Sequence, residues 1–265
     1  MTSPADTILD AFATGRLIPP LTVGDPSLDE DGAYEIASGL HARRVQGGEQ
    51  PVGRKIGFTN RSLWASYGVS APVWGHVYES TVLYASGDQA RFVAGDLLQP
   101  RIEPEIVLHF VRTPPVTRDE TAILGCIDWI AHGFELVQCP FPDWQFRAPD
   151  AIAALTLHGA LIVGTPVAVA DIEDCAEKLR TFSVTLLRDG EEQAAGGGAN
   201  VLDTPVLAFA HLAEVLAEQS RSAPVLSGEI VTTGTLTAPQ PVAAGETWAT
   251  TLEGIDLPGL SITFT

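Results

Sequence analysis

Basic residues are scarce in this chain. Fifteen lysines and arginines stand against 33 aspartates and glutamates, for a net charge of -18. So acidic a balance argues against DNA, RNA or an anionic membrane as partner and favours cations. Cysteine is scarcer still. Cys126, Cys139 and Cys175 are odd in number, scattered and without a CxxC spacing. They read as reduced thiols, which points to a cytoplasmic home, and Cys126 and Cys139 read as packing residues rather than nucleophiles. No apolar run approaches ~18 residues, so no membrane span is expected. The opening Met-Thr-Ser-Pro-Ala-Asp has no basic stretch leading into an apolar one, so no secretory leader is expected. A GxSxG elbow, an HExxH pair and a strand–GxGxxG–helix unit are all missing, which argues against a serine hydrolase, a zinc protease and a dinucleotide enzyme. Gly196-Gly-Gly198 resembles a phosphate loop only superficially, because Gly-Lys-Ser/Thr does not follow. It reads as a flexible loop able to approach a ligand.

What remains is an ordinary folded chain of 265 residues, 45% hydrophobic, long enough for one large domain or two intimate ones. Helices are expected over 4–17, 29–46, 60–67, 118–132, 171–180 and 204–219. Strands are expected over 52–59, 91–93, 102–111, 159–164, 182–188, 191–195, 229–233, 247–253 and 259–264. No repeat or low-complexity linker interrupts them. The pattern is a β-rich α/β protein with helices to the side.

Three glutamates carry the chemistry. Glu103 and Glu105 stand in Arg101-Ile-Glu-Pro-Glu-Ile-Val-Leu-His-Phe110, and Glu135 stands in Trp129-Ile-Ala-His-Gly-Phe-Glu-Leu-Val137. Each is a charge inside an apolar run that reads as buried strand, and an unpartnered buried carboxylate costs several kcal/mol. Residues i and i+2 of a strand share a face, so Glu103 and Glu105 can point at one spot. Three converging carboxylates suit a hard divalent cation, Mg²⁺ before Mn²⁺ or Ca²⁺. The plainer alternative is a pair of solvated edge-strand residues, helped by Pro104, plus an unrelated glutamate.

Lys55 lies between glycines in Gly53-Arg-Lys-Ile-Gly57. Desolvated, it would have a lowered pKa and serve as a proton carrier; otherwise it snorkels to solvent. Thr235, in Gly228-Glu-Ile-Val-Thr-Thr-Gly-Thr-Leu236, either presents a hydroxyl and an N–H to a ligand or only shapes a turn. His109 and His132 lie in apolar runs and read as satisfied core residues.

Taken in order, Gly53-Arg-Lys-Ile-Gly-Phe-Thr59, the Pro72-Val-Trp-Gly75 segment, Gln99-Pro-Arg-Ile-Glu-Pro-Glu105, Phe134-Glu-Leu-Val137 with Asp143-Trp144, Asn200-Val-Leu-Asp-Thr-Pro205 and Gly228–Thr235 are distinctive. Together they resemble the 2-oxopent-4-enoate hydratase and 2-oxo-3-hexenedioate (4-oxalocrotonate) decarboxylase family of the fumarylacetoacetate hydrolase superfamily, over about residues 30 to 264. The resemblance implies a fumarylacetoacetase C-terminal-like mixed β-sandwich roll with flanking helices and a small helical N-terminal region. Residues 1–85 would contribute Lys55, and residues 86–265 would form the roll that carries the metal site. It also implies a Mg²⁺ or Mn²⁺ cofactor held by Glu103, Glu105 and Glu135, and an active-site role for Lys55. The protein would be a cytoplasmic homo-oligomer acting on small-molecule intermediates of aromatic catabolism.

The chain departs from the family at several places. Hydratases usually carry Pro-Asp-Phe/Tyr-Gly where Val73 stands here, and His76 and Glu79 are the nearby candidates to replace the missing acid. An apolar residue at 73 leans toward the decarboxylase branch. The family's Asp-Ser-Arg after the third glutamate is Gln138-Cys-Pro140 here. Its polar Ala-Asp-Asn-x-Ser-Ser-Gly run is Ala153-Ala-Leu-Thr-Leu-His-Gly159. Leu157, with Ala154 and Leu155, implies a more apolar substrate pocket, which argues against a second substrate carboxylate; His158 is a new polar group there. The reading placed first is therefore a hydratase acting on a 2-hydroxy-2,4-dienoate with an apolar tail. The alternatives are the decarboxylase, which would need Arg54, Arg101 or Arg147 near a distal carboxylate, a C–C bond hydrolase, and a non-catalytic binding homologue.

Overall fold

A computed structural model describes residues 3–61, 64, 69, 71–219 and 222–265. The helix expected over 60–67 lies largely outside the described residues. Fourteen strands are present among those described. They are β1 (Pro51–Gly57), β2 (Val73–Tyr78), β3 (Val82–Tyr84), β4 (Gln89–Phe92), β5 (Arg101–Phe110), β6 (Ile127–Val137) and β7 (His158–Val163). The rest are β8 (Val167–Ala168), β9 (Ser183–Arg188), β10 (Glu191–Gly197), β11 (Ile230–Thr232), β12 (Gln240–Pro241), β13 (Thr247–Glu253) and β14 (Ser261–Phe264).

The larger sheet runs β2-β1-β11-β5-β6-β7-β3, with β12 added to β5 and β8 to β6; the smaller runs β10-β9-β13-β14-β4. The two sheets close on each other through Ile102, Phe134 and Ile162 on one side and Trp248, Ile262 and Phe264 on the other. This is the mixed β-roll with flanking helices expected from the sequence. A second core lies where Ile106, Leu108 and Phe110 meet Phe209, Leu212 and Leu216 of the helix Pro205–Glu218. By length and composition Gly198–Glu218 would pass as a membrane span, but most of it is buried within the protein. It is a core helix, capped by Thr204 and begun by Pro205.

Two expectations need correction. The helix expected over 118–132 ends at Leu124, and β6 starts at Ile127. Short apolar runs are ambiguous between helix and strand, and here the long pairing with β5 decides. The glycine run is not a flexible loop either. A side chain on Gly196 would strike the Leu236 carbonyl and one on Gly198 the Leu179 carbonyl, so glycine serves close backbone packing there.

Pro104 sits in the interior of the large sheet, not on an edge. β11 pairs with β5 only as far as Val107, and β12 resumes at Ile102. The missing N–H of Pro104 falls in the gap, where a proline costs no ladder bond.

Candidate metal centre and active site

Strand alternation and register assemble the site on one face of the large sheet. Glu103 and Glu105 project from the same face of β5. Glu135 of β6 stands directly opposite Glu103, and Gly133 opposite Glu105. Lys55 of β1 joins this face through Thr232, which pairs with Lys55 on one side and with Val107 on the other. The three carboxylates offer oxygens that all lie within 4.8 Å of one another.

The surrounding groups fix each carboxylate. Glu105 is fully buried; its Oε2 accepts from Thr232 Oγ1, and from the Gly234 N–H at 2.7 Å. Glu135 lies between two nitrogens. Lys55 Nζ stands 2.9 Å from Oε2 and His158 Nδ1 2.9 Å from Oε1. The other nitrogen of His158 meets Thr81 Oγ1 at 2.8 Å. Lys55 itself is 3% exposed and donates to the Thr156 carbonyl at 3.0 Å.

That carbonyl is delivered by an unusual turn. Leu155, Thr156 and Leu157 all have positive φ (56°, 53° and 62°). Left-handed backbone costs non-glycine residues roughly 1–2 kcal/mol each, so three in succession must be held from outside. Thr156 Oγ1 does so by donating to the Trp74 carbonyl at 2.7 Å. Gly75, across from Lys55, lets the turn approach, since a Cβ there would come within 2.7 Å of the Leu155 carbonyl.

Electrostatics follow from this crowding. Burial pushes Glu103 up to about 7, with repulsion from Glu135 adding to it and Lys55 and Arg101 opposing. Burial and then the other two carboxylates raise Glu105 well above the usual carboxylate range. Burial opposes ionisation of Glu135 too, but Lys55 and His158 outweigh it and hold that group low. Lys55 does not have the lowered pKa expected of a desolvated lysine. Burial pulls it down, yet the three carboxylates more than compensate and raise it.

The donor set fits a hard divalent cation. Among the described residues, Glu105 Oε1 is buried without a hydrogen-bond partner, and Glu135 Oε2 has only its ion pair with Lys55. Unpaired oxygens in a buried cluster are costly, and an oxygen-seeking cation removes that cost.

A small cavity of about 70 Å³ opens onto this face. Lys55, Glu103, Thr235 and Leu157 line it, together with Arg101 and an aromatic wall of Phe58, Trp144 and Phe146. Thr235 Oγ1 is engaged with the Thr237 carbonyl at 2.8 Å. Other candidates lie elsewhere. His158, expected to face substrate, is behind Glu135 and outside the cavity lining. Val73 is buried opposite Gly57, also outside the lining. His76 pairs with Arg54 on the opposite face of the strands, stacked on His41 at 3.7 Å. Glu79 is exposed at the start of the turn Glu79–Thr81. Arg54 is locked to Glu229 at 2.6 Å, and Arg147 reaches the Pro26 carbonyl, so of the three arginines only Arg101 lines the cavity. The sequence reading missed Thr81, Thr156, Thr232 and Gly234; Thr232-Thr-Gly-Thr235 after an apolar pair was the available signal for the last two.

The roll and its three-carboxylate centre define a protein with a buried site suited to a divalent cation. No family model matches the chain. A 2-keto-4-pentenoate hydratase from Burkholderia vietnamiensis is 31% identical over 255 residues, covering 96% of this chain and 94% of the relative. A 2-hydroxyhexa-2,4-dienoate hydratase from Comamonas testosteroni is 28% identical over 97% of this chain and 95% of its own. Among solved structures, the 4-oxalocrotonate decarboxylase from Pseudomonas putida G7 complexed with magnesium and adipate matches with a TM-score of 0.89 at 25% identity, covering 99% of this chain and 96% of that one. A fumarylpyruvate hydrolase from Pseudomonas aeruginosa, at 14% identity and TM-score 0.60 over 82% of this chain and 90% of its own, shares the fold alone. The chain belongs to the 2-keto-4-pentenoate hydratase and 4-oxalocrotonate decarboxylase family.

Proposed function

We propose that this protein is a cytoplasmic, homo-oligomeric lyase of aromatic catabolism that adds water to the distal double bond of a 2-hydroxy-2,4-dienoate with a short apolar tail. The observation that carries the reading is the juxtaposition of the three-glutamate cluster and Lys55 with a cavity walled by Phe58, Phe146 and Leu157. Three buried free thiols accord with a reducing compartment.

Glu103, Glu105 and Glu135 would hold Mg²⁺ or Mn²⁺. When bound, the cation supplies Lewis-acid stabilisation of negative charge on the C2 oxygen of a 2-oxo acid. Lys55 Nζ, fixed by the Thr156 carbonyl and Glu135, carries the proton between the 2-hydroxyl and the distal carbon, turning the dienol into an enone. Water then adds at C4 and a proton at C3. The aromatic wall excludes further water from the cavity and orients the tail.

A second reading keeps one specific support. Val73 leaves no carboxylate beside Gly57 to assist hydration, which favours the decarboxylase branch. Incubating the Mg²⁺-loaded protein with 2-hydroxypenta-2,4-dienoate and, separately, with 2-oxo-3-hexenedioate decides between them. Formation of 4-hydroxy-2-oxopentanoate supports the hydratase, whereas CO₂ release from the second acid alone overturns it.

A further inference from the structure

Arg101 has a setting that the proposed chemistry does not use. It lines the cavity, and no hydrogen bond or ion pair involves its side chain among the described residues. Its guanidinium rests on the ring of Trp144, 4.1 Å from the centroid. In a chain so acidic, an arginine in the cavity lining that acts on Glu103 through space, with no ion pair among the described residues, is conspicuous.

The brace beneath it is built at a cost. Gln99, Asp143 and Trp144 all adopt positive φ, at 47°, 55° and 58°. Trp144 Nε1 donates to the Gln99 carbonyl at 3.0 Å, and the Asp143 N–H donates to Gln99 Oε1 at 2.9 Å. Gln99 Nε2 in turn ties to the carbonyls of Cys139 and Phe141 at 2.9 and 2.7 Å. Strained backbone of this kind persists only where the surroundings impose it, and here it places an indole under a guanidinium.

We propose that Arg101 holds the C1 carboxylate of the substrate, and that the cavity accepts one carboxylate only. The inference rests on the metal-centred reading above. Arg101, Glu103 and Glu105 follow one another on one face of β5 at a spacing of roughly 6.6–6.8 Å. A 2-oxo acid seated at the glutamates therefore has its carboxylate within reach of a side chain that forms paired hydrogen bonds with carboxylates. Charge decides against a second one. Three glutamates, Lys55 and a divalent cation together carry no net charge, so Arg101 balances a single substrate carboxylate. A second would lie uncompensated against Phe58, Phe146 and Leu157.

The test is calorimetric titration of the Mg²⁺-loaded protein with 2-oxopentanoate and with 2-oxohexanedioate, for wild type, Arg101→Met and Arg101→Lys. Wild type is expected to bind the monocarboxylate at least tenfold more tightly. Arg101→Met should weaken it roughly 10–100-fold without weakening Mg²⁺, and Arg101→Lys should recover part of the loss. Unchanged binding of 2-oxopentanoate by Arg101→Met, or no binding by wild type, overturns the proposal. A loss confined to the dicarboxylate also overturns it, because Arg101 would then read the distal group. If wild type binds in an Arg101-dependent way but hydrates no dienoate, the hydratase reading falls and this inference stands.

Discussion

His158 Nδ1 stands 2.9 Å from Glu135 Oε1 and fixes that carboxylate from behind, while Lys55 faces its other oxygen. Partners of this kind outside the ligand set commonly govern metal affinity by 10–100-fold. His158→Leu should therefore weaken Mg²⁺ binding by about that factor. His158→Asn keeps a donor near the Nδ1 position and should recover most of it. Calorimetric titration with Mg²⁺ reads both, and equal affinity in all three proteins would remove His158 from the site.

Stability of the metal-free protein should fall between about pH 6.5 and 8. Glu103, pushed up to about 7, and Glu105, raised further by burial and repulsion, bind protons more tightly folded than unfolded. Such groups stabilise fully below the unfolded value near 4.5 and less as pH rises through the folded one. Glu135, held low, acts only below that window, and Lys55, raised, only above it. The half-buried His76 and the buried His132, pushed down to about 2 and 4, oppose the trend only below about 6.5. The slope should approach roughly 1.4 kcal/mol per pH unit for each retained proton. Urea titrations across this range should show it, and both Glu105→Gln and excess Mg²⁺ should flatten it. A pH-independent midpoint in the metal-free protein would contradict the crowding of the three carboxylates.

Lys55→Met leaves Glu135 without its cation. Breaking a buried ion pair this way costs about 3–5 kcal/mol, so the metal-free variant should melt well below wild type, and Mg²⁺ should restore much of the difference. Deuterium exchange at C3 of 2-oxopentanoate in D₂O, followed by NMR, should vanish although the metal still binds. Wild-type exchange rates would exclude the lysine from proton transfer.

Two glycine substitutions separate backbone conformation from contact. Gly190 has φ +88° and open space around its Cβ position, so Gly190→Ala should cost about 1 kcal/mol. Gly234 has φ +102°, and a Cβ there would fall on Thr59 Oγ1 while its N–H holds Glu105. Gly234→Ala should lose several times more stability, and most Mg²⁺ affinity with it, in thermal melts and titrations.

The Glu103–Glu105 pair was legible because period two is a property of one strand. The opposition of Glu135 to Glu103 was not, since it depends on register between β5 and β6, and the first residues of β6 read as helix. His158 illustrates the limit. His158 and Glu135 lie 23 residues apart in the sequence, yet the β6–β7 pairing brings His158 behind Glu135. The same holds for Thr81 and for Thr156, which reaches Lys55 across 101 residues of chain. Arg101 was visible as one of three arginines, but only the fold separates it from Arg54, committed to Glu229. The small β2 and β3 strands went unread because Gly75, His76 and the short apolar stretches give no clear alternation.

The parallel pairing of β1 with β11 bears on how this chain is made. Thr232 and Gly234, which hold Glu105, come from a segment synthesised long after Lys55 and all three glutamates. A growing chain on the ribosome thus carries Glu105 through 127 further residues of synthesis before Thr232, which holds it, is made. Such distant pairing closes slowly, and unpaired strand edges stay open to other chains meanwhile. The setting of Glu105 is therefore completed late, when the C-terminal strands arrive, rather than built up along the chain.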